Sequence, residues 1–210
     1  MASVVVDGLR LPVAIGGHPA VDFCNTRAGW PSDTPKEYLR GLAELAVWAR
    51  QAKLVDPSAA QRARDSAAEH PRAAAEVVRR AVAFRDALYA VLTSPAQPGD
   101  DAAVARAWQV LGGQARLAVT ATVLVPGRPT ARWEVDPAAP PLTVPYLAVV
   151  RSAADLLTSP LAAHVRACPM PDCGWLFADP SGRRRWCSMA WCGNRSKVRR
   201  YAERARSGAR

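Results

Sequence analysis

Four of the five cysteines in this 210-residue chain fall in its last forty-odd positions. They form two Cys-x4-Cys pairs, Cys168 with Cys173 and Cys187 with Cys192, separated by thirteen residues. Each pair can offer two thiolates from one tight turn, and the segment between is long enough to fold back as a hairpin. Tetrahedral Zn²⁺ takes four soft donors at about 2.3 Å, and an all-cysteine set of four makes a closed structural site. The x4 spacing is looser than the tightest knuckle, Cys-x2-Cys, but stays within ligand spacing. Four of five cysteines in metal spacing suit a reducing cytoplasm better than a disulfide framework. One structural zinc is therefore expected, held by Cys168, Cys173, Cys187 and Cys192.

Behind Cys192 come Gly193-Asn194 and a run rich in Lys and Arg. Val198, Tyr201 and Ala205 recur at helical spacing, with Arg195, Arg199 and Arg206 on another face. This predicts a knuckle, a hairpin and a helix whose first turn carries the second ligand pair, where the helix N-terminus favours thiolate charge. The apolar stripe is expected to pack on Trp175, Phe177 or Trp186.

The charge is concentrated at the same place. The chain carries +10 overall, and residues 166–210 hold eleven Lys or Arg against Asp172, Asp179 and Glu203. The excess survives the net loss of about two charges when zinc binds four thiolates. A localised cationic module is the electrostatic footprint of a polyanion binder. The candidate contacts are Arg183, Arg184 and Arg185 before the second knuckle, and Arg195, Lys197, Arg199, Arg200, Arg204 and Arg206 along the helix. DNA is the first partner expected. RNA is an alternative, because Trp175, Phe177, Trp186, Trp191 and Tyr201 can stack on bases if exposed. An acidic protein partner is a third, and a merely solvated charged helix the plain alternative. A short recognition helix often works in a homodimer reading two half-sites, although no heptad run marks an interface.

The segments Cys168-x4-Cys173-Gly-Trp-Leu-Phe, Arg184-Arg-Trp-Cys187-Ser-Met and Cys192-Gly-Asn-Arg195, with the basic helix after them, resemble the CGNR zinc finger. Upstream, Val21-Asp22-Phe23-Cys24-Asn25-Thr26 and Arg151-Ser-Ala-Ala-Asp155-Leu-Leu157 resemble the helical ABATE domain that usually precedes it. The resemblance implies a bacterial transcription regulator: a helical domain over residues 1–160 and a treble-clef-like finger over 161–210. The first domain would sense an unknown small-molecule effector or dimerise, and the second would bind DNA. Cys24 stands where an aliphatic residue is expected, and reads as a small buried hydrophobe.

The rest of the chain predicts a mainly α fold with a small β-hairpin, an α+β chain. Val4-Val5-Val6 and Leu9, Leu11, Val13 suggest a further short hairpin around Asp7-Gly8. Asp22, Asn25, Thr26 and Arg27 either line a ligand pocket or act as an Asx-type cap on a turn. Thr34-Pro35-Lys36-Glu37 has the form of a capping box, predicting a helix toward Leu54. Asp56-Pro57 begins a second helix to Glu69. His70-Pro71 begins a third to Thr93, whose Val77, Ala81, Phe84, Leu88 and Val91 trace a core seam. Ser94 to Asp101 reads as a loop. A helix over 101–111 is expected to stop at Gly112-Gly113, followed by the β-hairpin near 117–135. Pro145 opens a last helix with Leu147, Val150, Ala154 and Leu157 inward. On it, Arg151 either pairs with Asp155 or faces an anionic effector. Asp22, Asn25, Thr26 and Arg151 are thus the candidate effector pocket. Ser159-Pro160 leads to the finger without a long linker, so the modules should pack together, yet Cys173→Ser is expected to unfold the finger and spare the helical domain.

Several classes are disfavoured. No apolar run approaches the roughly eighteen residues of a membrane span, and residues 1–10 lack the form of a secretory signal. His18, His70 and His164 share no metal motif, and neither a Gly-rich phosphate loop nor a Gly-x-Ser-x-Gly elbow occurs. A zinc closed by four thiolates leaves no coordination position for substrate. No catalytic residue is assigned.

Overall fold

The computed structural model describes residues 2–94 and 101–207. Most of the loop expected between Ser94 and Asp101 lies outside the described residues.

Asp7 and Gly8 reverse the chain with positive φ at both positions, 49° and 76°, as a two-residue hairpin turn requires. Strands β1 (Ser3–Val6) and β2 (Leu9–Pro12) pair antiparallel on either side, Val6 opposite Leu9. The Asp7 carboxylate is held by Arg50 at 2.9 Å and Arg64 at 3.7 Å, which ties the hairpin to the helices behind it. Helix α1 (Pro19–Cys24) follows, with His18 as its cap.

The helix expected from Pro35 does not start there. Lys36–Glu37 forms a short strand, β4, antiparallel to β3 (Arg27–Ala28). Glu37 is used elsewhere: its carboxylate takes both terminal nitrogens of buried Arg85, at 2.7 and 2.9 Å, and the Leu39 amide at 2.8 Å. A bidentate partner for a buried guanidinium outweighs a marginal capping box. Helix α2 (Leu42–Gln51) instead begins after Gly41.

Helices α3 (Pro57–Glu69) and α4 (Pro71–Thr93) lie where the proline starts placed them, and Asp56 caps α3 by accepting from the Ala59 amide. Val77, Ala81, Phe84, Leu88 and Val91 of α4 are all buried. Helix α5 (Asp101–Thr120) runs straight through Gly112-Gly113, so the expected stop and the early strand at Leu117 are both corrected. Ala107, Leu111 and Ala118 bury one stripe of it, and this burial overrides the local glycine preference. The hairpin shrinks to β5 (Thr122–Val125) and β6 (Arg132–Val135).

Helix α6 (Val144–Leu157) is the axle of the domain, packing on α1, α2, α3, α4 and α5. Its inward set is accordingly broader than one stripe. Tyr146, Leu147, Val149, Val150, Ala153 and Leu156 are buried, while Ala154 and Leu157, expected inward, are half-buried. A 3-10 turn at Pro160–His164 then hands the chain to the cysteine module. Among the described residues no helix is long and apolar enough to cross a membrane.

Candidate metal centre and nucleic-acid interface

The cysteine module is built on a hairpin of β7 (Val165–Ala167) and β8 (Leu176–Ala178), with Arg166 opposite Phe177. Between the strands, the Cys168 amide donates to the Trp175 carbonyl at 2.8 Å and the Cys173 amide to the Met170 carbonyl at 3.0 Å, fixing the first knuckle. Gly174 follows at φ +66°, and a Cβ there would lie 2.7 Å from Cβ of Trp30, so only glycine fits. The second knuckle departs from the expected form. Cys187 lies ahead of the helix, and Cys192 sits in a π-helical turn, Met189–Gly193, that leads into α7 (Asn194–Ser207).

All four thiols are buried and their sulfurs lie within 4.8 Å of one another. Cys187 Sγ is 3.6 Å from Cys173 and 3.5 Å from Cys192. Tetrahedral Zn–S bonds of about 2.3 Å place sulfurs roughly 3.8 Å apart. The crowding of the four sulfurs also couples their ionisation. Hydrogen bonds from Cys168, Cys173 and Cys187 hold the Cys192 thiol well below its ordinary range, and Arg195 adds to the effect. Cys168 is lowered to about 7, chiefly by Cys173. Cys173 and Cys187 are pushed up instead, each first by Cys168. Four thiols so close ionise together only around a cation, and one structural zinc ion satisfies the set.

Outside the sulfurs, Arg195 spans two anionic groups. Its Nη2 lies 3.4 Å from Cys192 Sγ and its Nη1 pairs with Asp172. The contact with Cys192 is the main reason that Arg195 holds its proton more tightly than usual. Arg184 is engaged as well. Its guanidinium donates to the carbonyls of Cys187 at 2.7 Å, Ile15 at 3.1 Å and Ala178 at 3.3 Å, and lies 4.6 Å over the Phe177 ring. Both arginines were candidate nucleic-acid contacts, and both are tied into the zinc module.

The remaining candidates stand outward. Arg183, Arg185, Lys197, Arg199, Arg200, Arg204 and Arg206 are exposed, with Arg199 3.5 Å from Glu203. Val198 and Tyr201, expected in the module's core, are 68% and 78% exposed. The core is filled without them: Ala28, Tyr38, Met170, Trp175 and Phe177 pack around the cysteines. Helix α7 therefore projects with Val198 and Tyr201 uncovered. A groove of about 580 Å³ runs between it and the zinc site, lined by Trp175, Ala190, Trp191, Val198 and Ala202.

The module is also sewn to the helical domain by residues without a sequence signal for that role. Asn25 Nδ2 donates to the Leu176 carbonyl at 2.9 Å, and its Oδ1 accepts from the Leu176 amide at 2.7 Å. The Gly29 and Trp30 amides donate to the Cys173 carbonyl at 3.1 and 3.2 Å. Trp175 Nε1 donates to the Arg27 carbonyl, and the Tyr89 hydroxyl to the Gly174 carbonyl. Trp30 stacks on Tyr89 with ring centroids 3.6 Å apart.

The four candidate effector-pocket residues do not line one cavity. Asn25 and Thr26 are fully buried, and Thr26 Oγ1 bonds the Phe23 carbonyl and receives Arg85. Asp22 borders a recess beside the N-terminal hairpin. Arg151 borders a separate recess near β6 and is bonded to Asp155 at 2.9 Å. Burial pushes the Cys24 thiol up, so it is an inert core residue.

The chain matches two known families. Residues 17–160 match the ABATE family, described as "Putative stress-induced transcription regulator", and residues 164–205 match the CGNR zinc finger. No curated protein matches the chain significantly.

Proposed function

The chain belongs to the ABATE family and carries a CGNR zinc finger after that domain; on this premise we propose that it is a cytoplasmic bacterial transcription regulator that binds duplex DNA through helix α7. The observation that carries the reading is one face of that helix. Lys197, Arg200 and Arg204 recur there at helical spacing, exposed and without an ion pair among the described residues. Zinc fixes the start of the helix, so these cations reach phosphates from a preorganised frame. Val198 and Tyr201 stand uncovered beside them. Outward apolar groups flanked by cations suit a groove, where they can touch thymine methyls while the cations take phosphates.

The helical domain then senses an effector or forms a dimer, and its hydrogen bonds to the finger transmit the state of one to the other. No catalytic step is proposed. RNA is the second reading, favoured by the exposed rings of Trp191 and Tyr201; an acidic protein in the α7 groove is the third.

The test is fluorescence anisotropy of zinc-loaded protein with duplex DNA at two salt concentrations, with matched RNA as competitor and a chelated control. Salt-sensitive, zinc-dependent binding that prefers DNA is expected. Binding indifferent to zinc, or absent, sinks the reading, and preference for RNA promotes the second.

A further inference from the structure

We infer that the recess between the N-terminal hairpin, His18 and the end of α2 binds a small monoamine with an apolar body, and that Asp22 relays its presence to the zinc finger. The inference deepens the effector-sensing role proposed for the helical domain, and does not depend on DNA being the finger's partner.

The recess encloses about 310 Å³, enough for a single-ring ligand, and Leu11, Pro12 and Trp48 give it apolar walls. Its one carboxylate is Asp22. Asp22 Oδ1 accepts from the Ile15 amide at 2.9 Å and the Gly16 amide at 2.7 Å, so the group is fixed in place. A Cβ on Gly16 would lie 2.9 Å from that oxygen, so glycine at 16 is what permits the close approach. Burial nevertheless raises the Asp22 pKa above its ordinary value, beyond what these bonds, a hydrogen bond with the Asn25 side chain and the field of Arg184 restore. The Arg184 guanidinium donates to carbonyls instead. A ligand ammonium supplies the counter-charge that this carboxylate lacks.

The other polar groups narrow the choice. His18 Nδ1 accepts from the Ala20 amide at 3.2 Å, and burial lowers its pKa below the ordinary imidazole value, so the imidazole adds no opposing charge near neutral pH. Lys53 is exposed at the mouth, in a left-handed conformation at φ 59°, and has no ion pair among the described residues. Its ammonium repels a second cationic group on a ligand, which excludes polyamines while leaving a monoamine free to reach Asp22.

The relay is a run of hydrogen bonds. Asp22 holds the Ile15 and Gly16 amides; the Gly16 carbonyl accepts from the Ala178 amide in β8 at 2.7 Å. The Ile15 carbonyl accepts from Arg184, which also holds the carbonyl of the zinc ligand Cys187. One turn beyond Asp22, Asn25 grips Leu176 of the same strand. These bonds connect Asp22 to β8 without a gap, so a change at Asp22 is felt there.

The test uses full-length, zinc-loaded protein without DNA, titrated with phenethylamine and followed by calorimetry and amide NMR. Phenethylamine is expected to bind, phenylacetate not to, and Asp22→Asn to weaken binding about tenfold or more. Lys53→Glu, an exposed change that leaves the fold intact, is expected to tighten it severalfold. The Leu176 and Ala178 amide resonances are expected to shift on saturation. Failure of phenethylamine to bind, equal binding of phenylacetate, or no response to Lys53→Glu overturns the site, and unmoved Leu176 and Ala178 resonances overturn the relay. These outcomes are read independently of whether the protein binds DNA.

Discussion

Asn25 and Leu176 exchange two hydrogen bonds across 151 positions of sequence, side-chain amide to backbone in both directions. Both residues are fully buried, so water replaces neither bond. Asn25→Ala leaves an amide and a carbonyl of β8 unpaired, at a cost of about 1–3 kcal/mol for each group. A lower urea midpoint with an unchanged slope is expected. Asn25→Asp keeps the acceptor for the Leu176 amide but sets a carboxylate against the Leu176 carbonyl, and should be no better than alanine. A wild-type midpoint for either variant would mean that the finger is held on by packing alone.

Zinc removal has a reach that the chain's division into two modules hides. The Gly29 and Trp30 amides donate to the carbonyl of the zinc ligand Cys173, and Ala28 and Tyr38 belong to the core around the cysteines. Hydrogen exchange at Gly29 and Trp30 should therefore accelerate strongly on chelation or in Cys173→Ser. The amides of α4 around Leu88, in the separate core of the helical domain, should stay protected. Uniform acceleration would show one cooperative unit; no change at Gly29 and Trp30 would show that the knuckle keeps its shape without metal.

The arginines divide into two kinds with different readouts. Arg184→Ala removes donors from three carbonyls, one of them that of Cys187, and should weaken zinc retention and lower thermal stability. Arg200→Ala removes an exposed cation, should leave zinc content and melting unchanged, and should reduce the salt slope of DNA binding by about one. If Arg200→Ala leaves the slope untouched, or Arg184→Ala leaves zinc retention untouched, this assignment of roles fails.

What could be read from the sequence follows the range over which each signal acts. Cysteine spacing, the turn at Asp7-Gly8 and the proline starts at Pro57 and Pro71 are local, and the structure has each where its chemistry puts it. The failures are sites where a distant partner decides. Glu37 reads as part of a cap because Arg85, its partner, lies 48 residues away. Asn25 and Thr26 read as a cap or a pocket because nothing nearby announces Leu176 or Arg85. Periodicity marks Val198 and Tyr201 as an apolar face without saying what covers it, and they stand outside the finger's core. The space they would have filled is taken by Ala28 and Tyr38, from far upstream.

Gly112 and Gly113 show the same effect from the opposite side, and offer the simplest test of the fold. Two consecutive glycines ordinarily end a helix, yet α5 continues through them to Thr120. Nothing lies within 4 Å of a Cβ built on either, and neither takes a positive φ. The helix persists because Leu111 and Ala118 are buried on both sides of the pair, and because Gln114 accepts the Tyr146 hydroxyl at 2.9 Å. The glycines are thus retained at a conformational cost that alanine would remove. Gly112→Ala and Gly113→Ala should each stabilise the protein by about 0.5–1 kcal/mol, mostly by restricting the unfolded chain. Thermal melts of the two single variants and the double variant measure this directly. Destabilisation would mean that the helix breaks at the pair after all, with the strand beginning near Leu117.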